Sequence, residues 1–317
     1  MPDQPTAGPS EQSQSKSPSE DNPTQLNSPS PPVSPWGRTD RNRLLIFVGI
    51  TFILPLPFLF LLPGVIKPSG SVFTIQGLLP AKALAAFFAV LGTWIVARME
   101  KRPPSDYGVP SRQAFGMKFW EGFIWGFAML SSIVMTLRAS GHFQIDSVDL
   151  TGAALFRYAL GWAAVFCMVG ISEEFAFRGY WLFSFAKRFR FWPAAFLTSI
   201  IFGVAHLGNP GENAFGILQV VAIGLLFCLM IRRTGTLWFA VGFHAAWDWA
   251  ETFFWGTPDS GLVGVGRFLN TTVHGPRWLT GGSAGPEGSI LAFGVIGLCA
   301  LLVHIRFPNV IYPDRPQ

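Results

Sequence analysis

The sequence predicts an all-α, polytopic membrane protein, a bundle of about eight helices crossing the bilayer, preceded by a disordered tail. Three observations predict it. Half of the 317 residues are hydrophobic while only 13% are charged, too few charges to keep a globular surface of this size in water. Several apolar runs reach the roughly 18 residues that carry a helix across the hydrocarbon core. Their flanks are rich in Arg, Lys, Trp and Pro, the residues that anchor spans at the two interfaces.

Residues 1–36 consist mainly of Pro, Ser, Gln, Asn and Asp. Ordering them costs chain entropy that no apolar burial offsets, so they read as a disordered tail, and 37–317 as the helical domain. The first apolar run has no cleavable-signal layout and reads as a retained helix. Helices are expected near 44–66, 78–98, 117–137, 153–187, 192–208, 214–231, 236–255 and 288–306. Pro55 and Pro57 remove two backbone donors from the first and predict a kink.

Arg38, Arg41 and Arg43, then Arg98, Lys101, Arg102, Arg112 and Lys118, then Lys187, Arg188, Arg190, Arg232, Arg233, Arg306 and Arg315 alternate with loops carrying only scattered cations such as Lys67, Arg138, Arg267 and Arg277. The positive-inside rule therefore puts both termini in the cytoplasm, and a bacterial inner membrane is the expected location. The net charge of +5 is spread over these loops rather than gathered in a stripe, which argues against nucleic acid as a partner. Cys167, Cys228 and Cys299 lie singly in apolar runs and read as packing residues, not as a disulfide or zinc cluster. The glycine-rich stretch 256–288 is longer than an ordinary connection and reads equally as a cap over something or as a linker. The absence of an internal repeat weakens the case for a transporter built from duplicated halves.

The chemistry lies in three of the apolar segments. The fourth contains Glu173, Glu174 and Arg178 amid uncharged sequence, and each charge at such depth costs about 2.5–3.5 kcal/mol unless it faces a cavity or a partner. Glu174 and Arg178, four apart, share a helical face and are placed to pair, whereas Glu173 points about 100° away and is left for another task. The fifth segment ends on His206, just before the turn at Gly208, Asn209, Pro210 and Gly211. In the seventh, His244 and Asp248 share one face, so that Asp248 can orient the imidazole or both can line one cavity. Together they supply the acid, base and imidazole groups that hydrolysis needs. Either a carboxylate with a His activates water, or Glu173, His206 and His244 hold a divalent metal such as zinc that acidifies it.

The ordered set Glu-Glu-x-x-x-Arg (Glu173, Glu174, Arg178), Phe-x-x-x-His (Phe202, His206) and His-x-x-x-Asn/Asp (His244, Asp248) resembles the three motifs of the CPBP family, over roughly residues 150–255. That family comprises CAAX prenyl proteases and bacteriocin-processing enzymes, described as intramembrane metalloproteases. The resemblance implies an endopeptidase acting on a membrane-associated, prenylated or leader-bearing peptide or membrane protein. In it Glu173 and His206 activate water, His244 and Asp248 help bind the transition state, and Glu174, Arg178 and Phe202 support the site. Asp248 stands where many relatives have Asn. An ionised carboxylate beside an oxyanion is unfavourable, so Asp248 orients His244, stays protonated or assists a metal. Gly281-Gly282-Ser283-Ala284-Gly285 fits Gly-x-Ser-x-Gly but lacks the strand-to-helix turn that exposes such a nucleophile. The rival readings are a proton- or ion-coupled transporter, because buried carboxylates and histidines also relay protons, and a non-catalytic scaffold or immunity protein. No oligomer is specified by the sequence.

Overall fold

The computed structural model of the protein describes residues 37–59, 72–209 and 214–314. The tail at 1–36, the end of the first expected helix, Lys67, Pro210, Gly211 and Arg315 lie outside the described residues. Helix α1 runs Arg38–Leu59, six residues earlier than its apolar run begins, and passes through a wide π turn at Gly49–Ile53 just before Pro55. It is followed by β1 (Val72–Phe73), α2 (Ile75–Met99), α3 (Met117–Ala139), β2 (Phe143–Val148) and α4 (Gly152–Phe189). Then come α5 (Phe191–Ala205), α6 (Ala214–Thr234), α7 (Leu237–Trp249, continued by a π turn at Ala250–Phe254), β3 (Val263–Gly264), β4 (Leu269–Val273) and α8 (Ile290–Arg306).

Five of these helices, α1, α2, α3, α4 and α6, are long and apolar enough to cross a membrane. Large apolar side chains such as Phe87, Ile124, Phe156, Leu160 and Leu301 stand on the outside, where water would not tolerate so many together. The protein is an integral membrane protein whose outer face is solvated by lipid. α7 is the innermost element: every side chain from Leu237 to Asp248 is buried.

Glycine allows that centre to close. Gly122 and Gly126 of α3 sit four apart against α7, and a Cβ at either would lie 2.1 Å from a carbonyl oxygen, of Phe239 and of Phe243 respectively. From the other side, a Cβ on Gly242 would lie 2.0 Å from the Phe119 oxygen. The two backbones therefore touch, the small-residue contact by which membrane helices pack without a hydrophobic driving force. A Gly126→Ala protein must push α7 outward, and a loss of about 1–3 kcal/mol is expected, read as a lower melting temperature in detergent.

The cationic loops meet at one end of the bundle. Glu100 there accepts hydrogen bonds from Lys187 Nζ (2.7 Å), Tyr107 Oη (2.8 Å) and Tyr180 Oη (2.9 Å). Burial raises the Glu100 carboxyl, but the Lys187 and Tyr107 hydrogen bonds outweigh it and hold the group below its ordinary value. Arg232 and Arg190 flank Asp314, and Arg306 reaches Glu121 at 3.1 Å.

At the opposite end the 256–288 stretch is an ordered cap. β3 pairs in parallel with β1, Val72 opposite Val263, and β4 pairs antiparallel with β2, Phe143 opposite Val273. Main-chain bonds thus fasten the stretch to the segments before α2 and after α3. Of its two sequence readings, the structured cap is the one observed.

Candidate active site

The long helix α4 changes pitch where its charges lie. Regular α-helix ends at Glu174, a π turn spans Phe175–Gly179, and α-helix resumes at Tyr180. Such one-residue insertions re-aim side chains and recur at functional sites. Glu174 and Arg178 are both fully buried and pair as the spacing predicted, Arg178 Nη1 donating to Glu174 Oε1 at 3.0 Å. The guanidinium lies over the Phe202 ring, 4.0 Å from its centroid, with Phe227 5.4 Å away on its other contact. A Cβ on Gly224 would meet Arg178 Nη2 at 2.6 Å, so α6 needs glycine to admit it.

The same Glu174 oxygen lies 3.0 Å from His244 Nδ1, a contact absent from the sequence reading. A carboxylate only accepts, so Nδ1 carries a proton and Nε2 is turned to the interior. Asp248 Oδ2 is 3.5 Å from His244 Nε2. Glu174 therefore orients the imidazole more closely than Asp248 does, and Asp248 lines the cavity beside it. His206 caps the end of α5, its Nδ1 donating to the Phe202 carbonyl at 2.8 Å, which again leaves Nε2 facing inward. The Phe202 and His206 rings meet edge to face at 4.5 Å, so Phe202 contacts both the histidine and Arg178.

Glu173 is where the two histidines converge. Its Oε2 lies 4.0 Å from His206 Nε2 and 3.8 Å from His244 Nε2. These gaps exceed a direct hydrogen bond and suit a small ligand held among the three groups. Its other oxygen, Oε1, accepts from Lys82 Nζ at 2.8 Å, a partner that its position on the helix did not name. Lys82 was missed because a single Lys near the start of an apolar helix reads as a snorkelling anchor. The only signal in the sequence was its interior position in that run.

All these groups except the buried pair Glu174 and Arg178 line one cavity of about 270 Å³, walled by Phe166, Phe177, Phe202, Phe227 and Trp247. Asp259, Ser260, Leu262 and Glu287 close it from the cap. Ser283 and His274 are exposed in the cap and do not line it.

Glu173, His206 and His244 stand somewhat wider apart than the ligands of one zinc ion. Ligands of a tetrahedral zinc stand about 3.3 Å apart, as bonds of about 2.0–2.1 Å require. The spacings at Glu173 Oε2 are 3.8 and 4.0 Å, and the ammonium of Lys82 already meets the carboxylate's charge.

Residues 155–250 match the family model of the type II CAAX prenyl endopeptidase Rce1-like proteins. The matched stretch holds all three motifs and excludes Lys82 and the cap. An uncharacterized protein of Bacillus subtilis (strain 168), YyaK, is 26% identical over 199 residues, 60% of this chain. The alignment spans 66% of that relative, just under two thirds of its length. The family expected from the motifs is the one whose model this region matches.

Proposed function

We propose that this protein is an intramembrane endopeptidase in which Glu173 activates water for attack on a peptide bond. The observation that carries the reading is the convergence of Glu173 Oε2 on the Nε2 atoms of His206 and His244, within 4.0 Å of each, at the wall of one cavity. A water held there gives its proton to Glu173 Oε2, the oxygen Lys82 does not occupy, while His206 Nε2 fixes its orientation. The water oxygen bonds to the carbonyl carbon. The oxyanion so formed is met by the N–H groups of Lys82, with the His244 ring beside it, in a cavity where such bonds are strong. Glu173 then returns the proton to the leaving amine as the C–N bond breaks.

Glu174, Arg178 and Phe202 touch no substrate in this scheme and are positioning residues. Asp248 lies 3.5 Å from His244 Nε2 and helps hold that ring at the cavity wall. No step passes through a metal. The protein lies in a bacterial cytoplasmic membrane with both termini in the cytoplasm, and its substrate is a membrane-associated peptide, of the prenylated, leader-bearing or membrane-protein class.

The test is to incubate isolated membranes containing wild-type or Glu173→Gln protein, with and without 1,10-phenanthroline, and to compare peptide termini by mass spectrometry. New termini are expected with the wild type alone and in the presence of the chelator. Identical termini in both membranes would end the hydrolytic reading, and loss on chelation restored by Zn²⁺ would return the metal one.

A further inference from the structure

A second group of acids lies at the cap. Glu251 comes from the π turn that ends α7, Asp259 from the start of the cap and Glu287 from its end. Each offers a carboxylate oxygen, and these oxygens lie within 4.8 Å of one another. Neutral donors hold one oxygen of each: the Glu287 N–H donates to Glu251 Oε1 (3.2 Å), Thr252 Oγ1 to Asp259 Oδ2 (3.1 Å), and the Ser260 N–H to Glu287 Oε1 (2.7 Å). Ser260 Oγ adds a second bond to Glu287 Oε1, at 2.8 Å.

What these donors leave is the telling part. Glu251 is fully buried, and its Oε2 has no hydrogen-bond partner among the described residues. The nearby cation Lys82 acts on Asp259 across the cavity but is itself paired to Glu173 at 2.8 Å. Three mutually repelling carboxylates, one with a bare buried oxygen, are unfavourable without a positive charge between them. The backbone is also shaped to the group. A Cβ at Gly285, where φ is +108°, would lie 2.7 Å from Glu251 Oε1 and 2.1 Å from the Pro258 oxygen, so the chain keeps that space clear of side chains.

We propose that Glu251, Asp259 and Glu287 bind a divalent cation of the calcium class, which clips both ends of the cap to the end of α7. The donors are all oxygen, which selects a hard cation over zinc or copper. Calcium accepts irregular oxygen sets, whereas magnesium demands near-ideal octahedral geometry. The residues concerned are distinct from Glu173, His206 and His244, so the cation site is independent of whether Glu173 activates water. Its consequence reaches the cavity nonetheless, because Asp259 and Glu287 form part of its wall. A clipped cap closes that mouth.

The test uses the full-length protein in detergent or nanodiscs, with CaCl2 as the probe. Limited proteolysis within 256–288 should slow about 10–100-fold in about 10 mM calcium relative to EGTA, the ratio that a Kd of about 10⁻⁴–10⁻³ M gives. In Asp259→Asn and Glu287→Gln proteins that protection should vanish while the calcium-free melting temperature holds or rises, because repulsion is relieved. An unchanged cutting rate in the wild type, a measurement that needs no variant to fold, would overturn the site. Equal calcium protection in both variants would overturn it too. Either result leaves the trio without a cation between its carboxyl groups.

Discussion

Glu173→Gln abolishes cleavage, lowering kcat by about 10²–10⁴-fold, the span that a positioned general base contributes. The amide keeps the size of the carboxylate and can still meet Lys82, so the helix and cavity persist while the proton acceptor is gone. His206→Ala is expected to fall by a comparable factor, because it removes the Nε2 that faces Glu173 Oε2 at 4.0 Å. His274→Ala and Ser283→Ala leave kcat unchanged, both being exposed in the cap. The measurement is single-turnover cleavage of a substrate identified by the membrane comparison, using purified protein with unchanged helical circular dichroism. Full activity of both Glu173→Gln and His206→Ala would remove the assignment.

Arg178→Met should destabilise the protein by about 3–5 kcal/mol, the cost of leaving one partner of a buried ion pair uncompensated. Glu174 would be stranded with no exposed surface, its Oε1 held only by His244 and its Oε2 already without a hydrogen-bond partner among the described residues. Thermal unfolding in detergent reads this as a drop of about 6–20 °C for a chain of this size. The double variant Glu174→Gln/Arg178→Met removes both charges and should recover much of the loss, because an apolar or neutral replacement of a whole buried pair is far milder than its rupture. If the double variant were no more stable than Arg178→Met, the pair would not be the source of the effect. The imidazole of His244 would lose its orienting carboxylate in the double variant, so stability and activity are expected to separate there.

Some of this arrangement was legible before any coordinates. Apolar run length gave the helices, because the bilayer fixes how many residues a span needs. Pairs four residues apart were legible too: Glu174 with Arg178 and His244 with Asp248 follow from helical periodicity alone. The fourth helix was read as continuous through its charged motif, and in outline it is. Its π turn was not foreseen, since nothing in Phe175–Gly179 distinguishes it from a regular turn.

Contacts between helices were decided only by the tertiary structure. Lys82 reaches Glu173 across 91 residues, and Glu174 reaches His244 across 70. Which faces meet depends on how far each helix is rotated and how closely it approaches its neighbour. Between α4 and α7 the close approach is at Gly170, where a Cβ would lie 2.9 Å from the Val241 oxygen, and no periodicity reports it. The cap is the same case: its glycines read as looseness along the chain, whereas pairing with β1 and β2 orders it and brings Asp259 and Glu287 to Glu251. The sequence by itself determined a helical membrane protein with ionisable groups at depth in three spans, because bilayer thickness and helical pitch act locally. Their partners, the cavity they share and the acids that close it arise from long-range packing, which only the folded chain specifies.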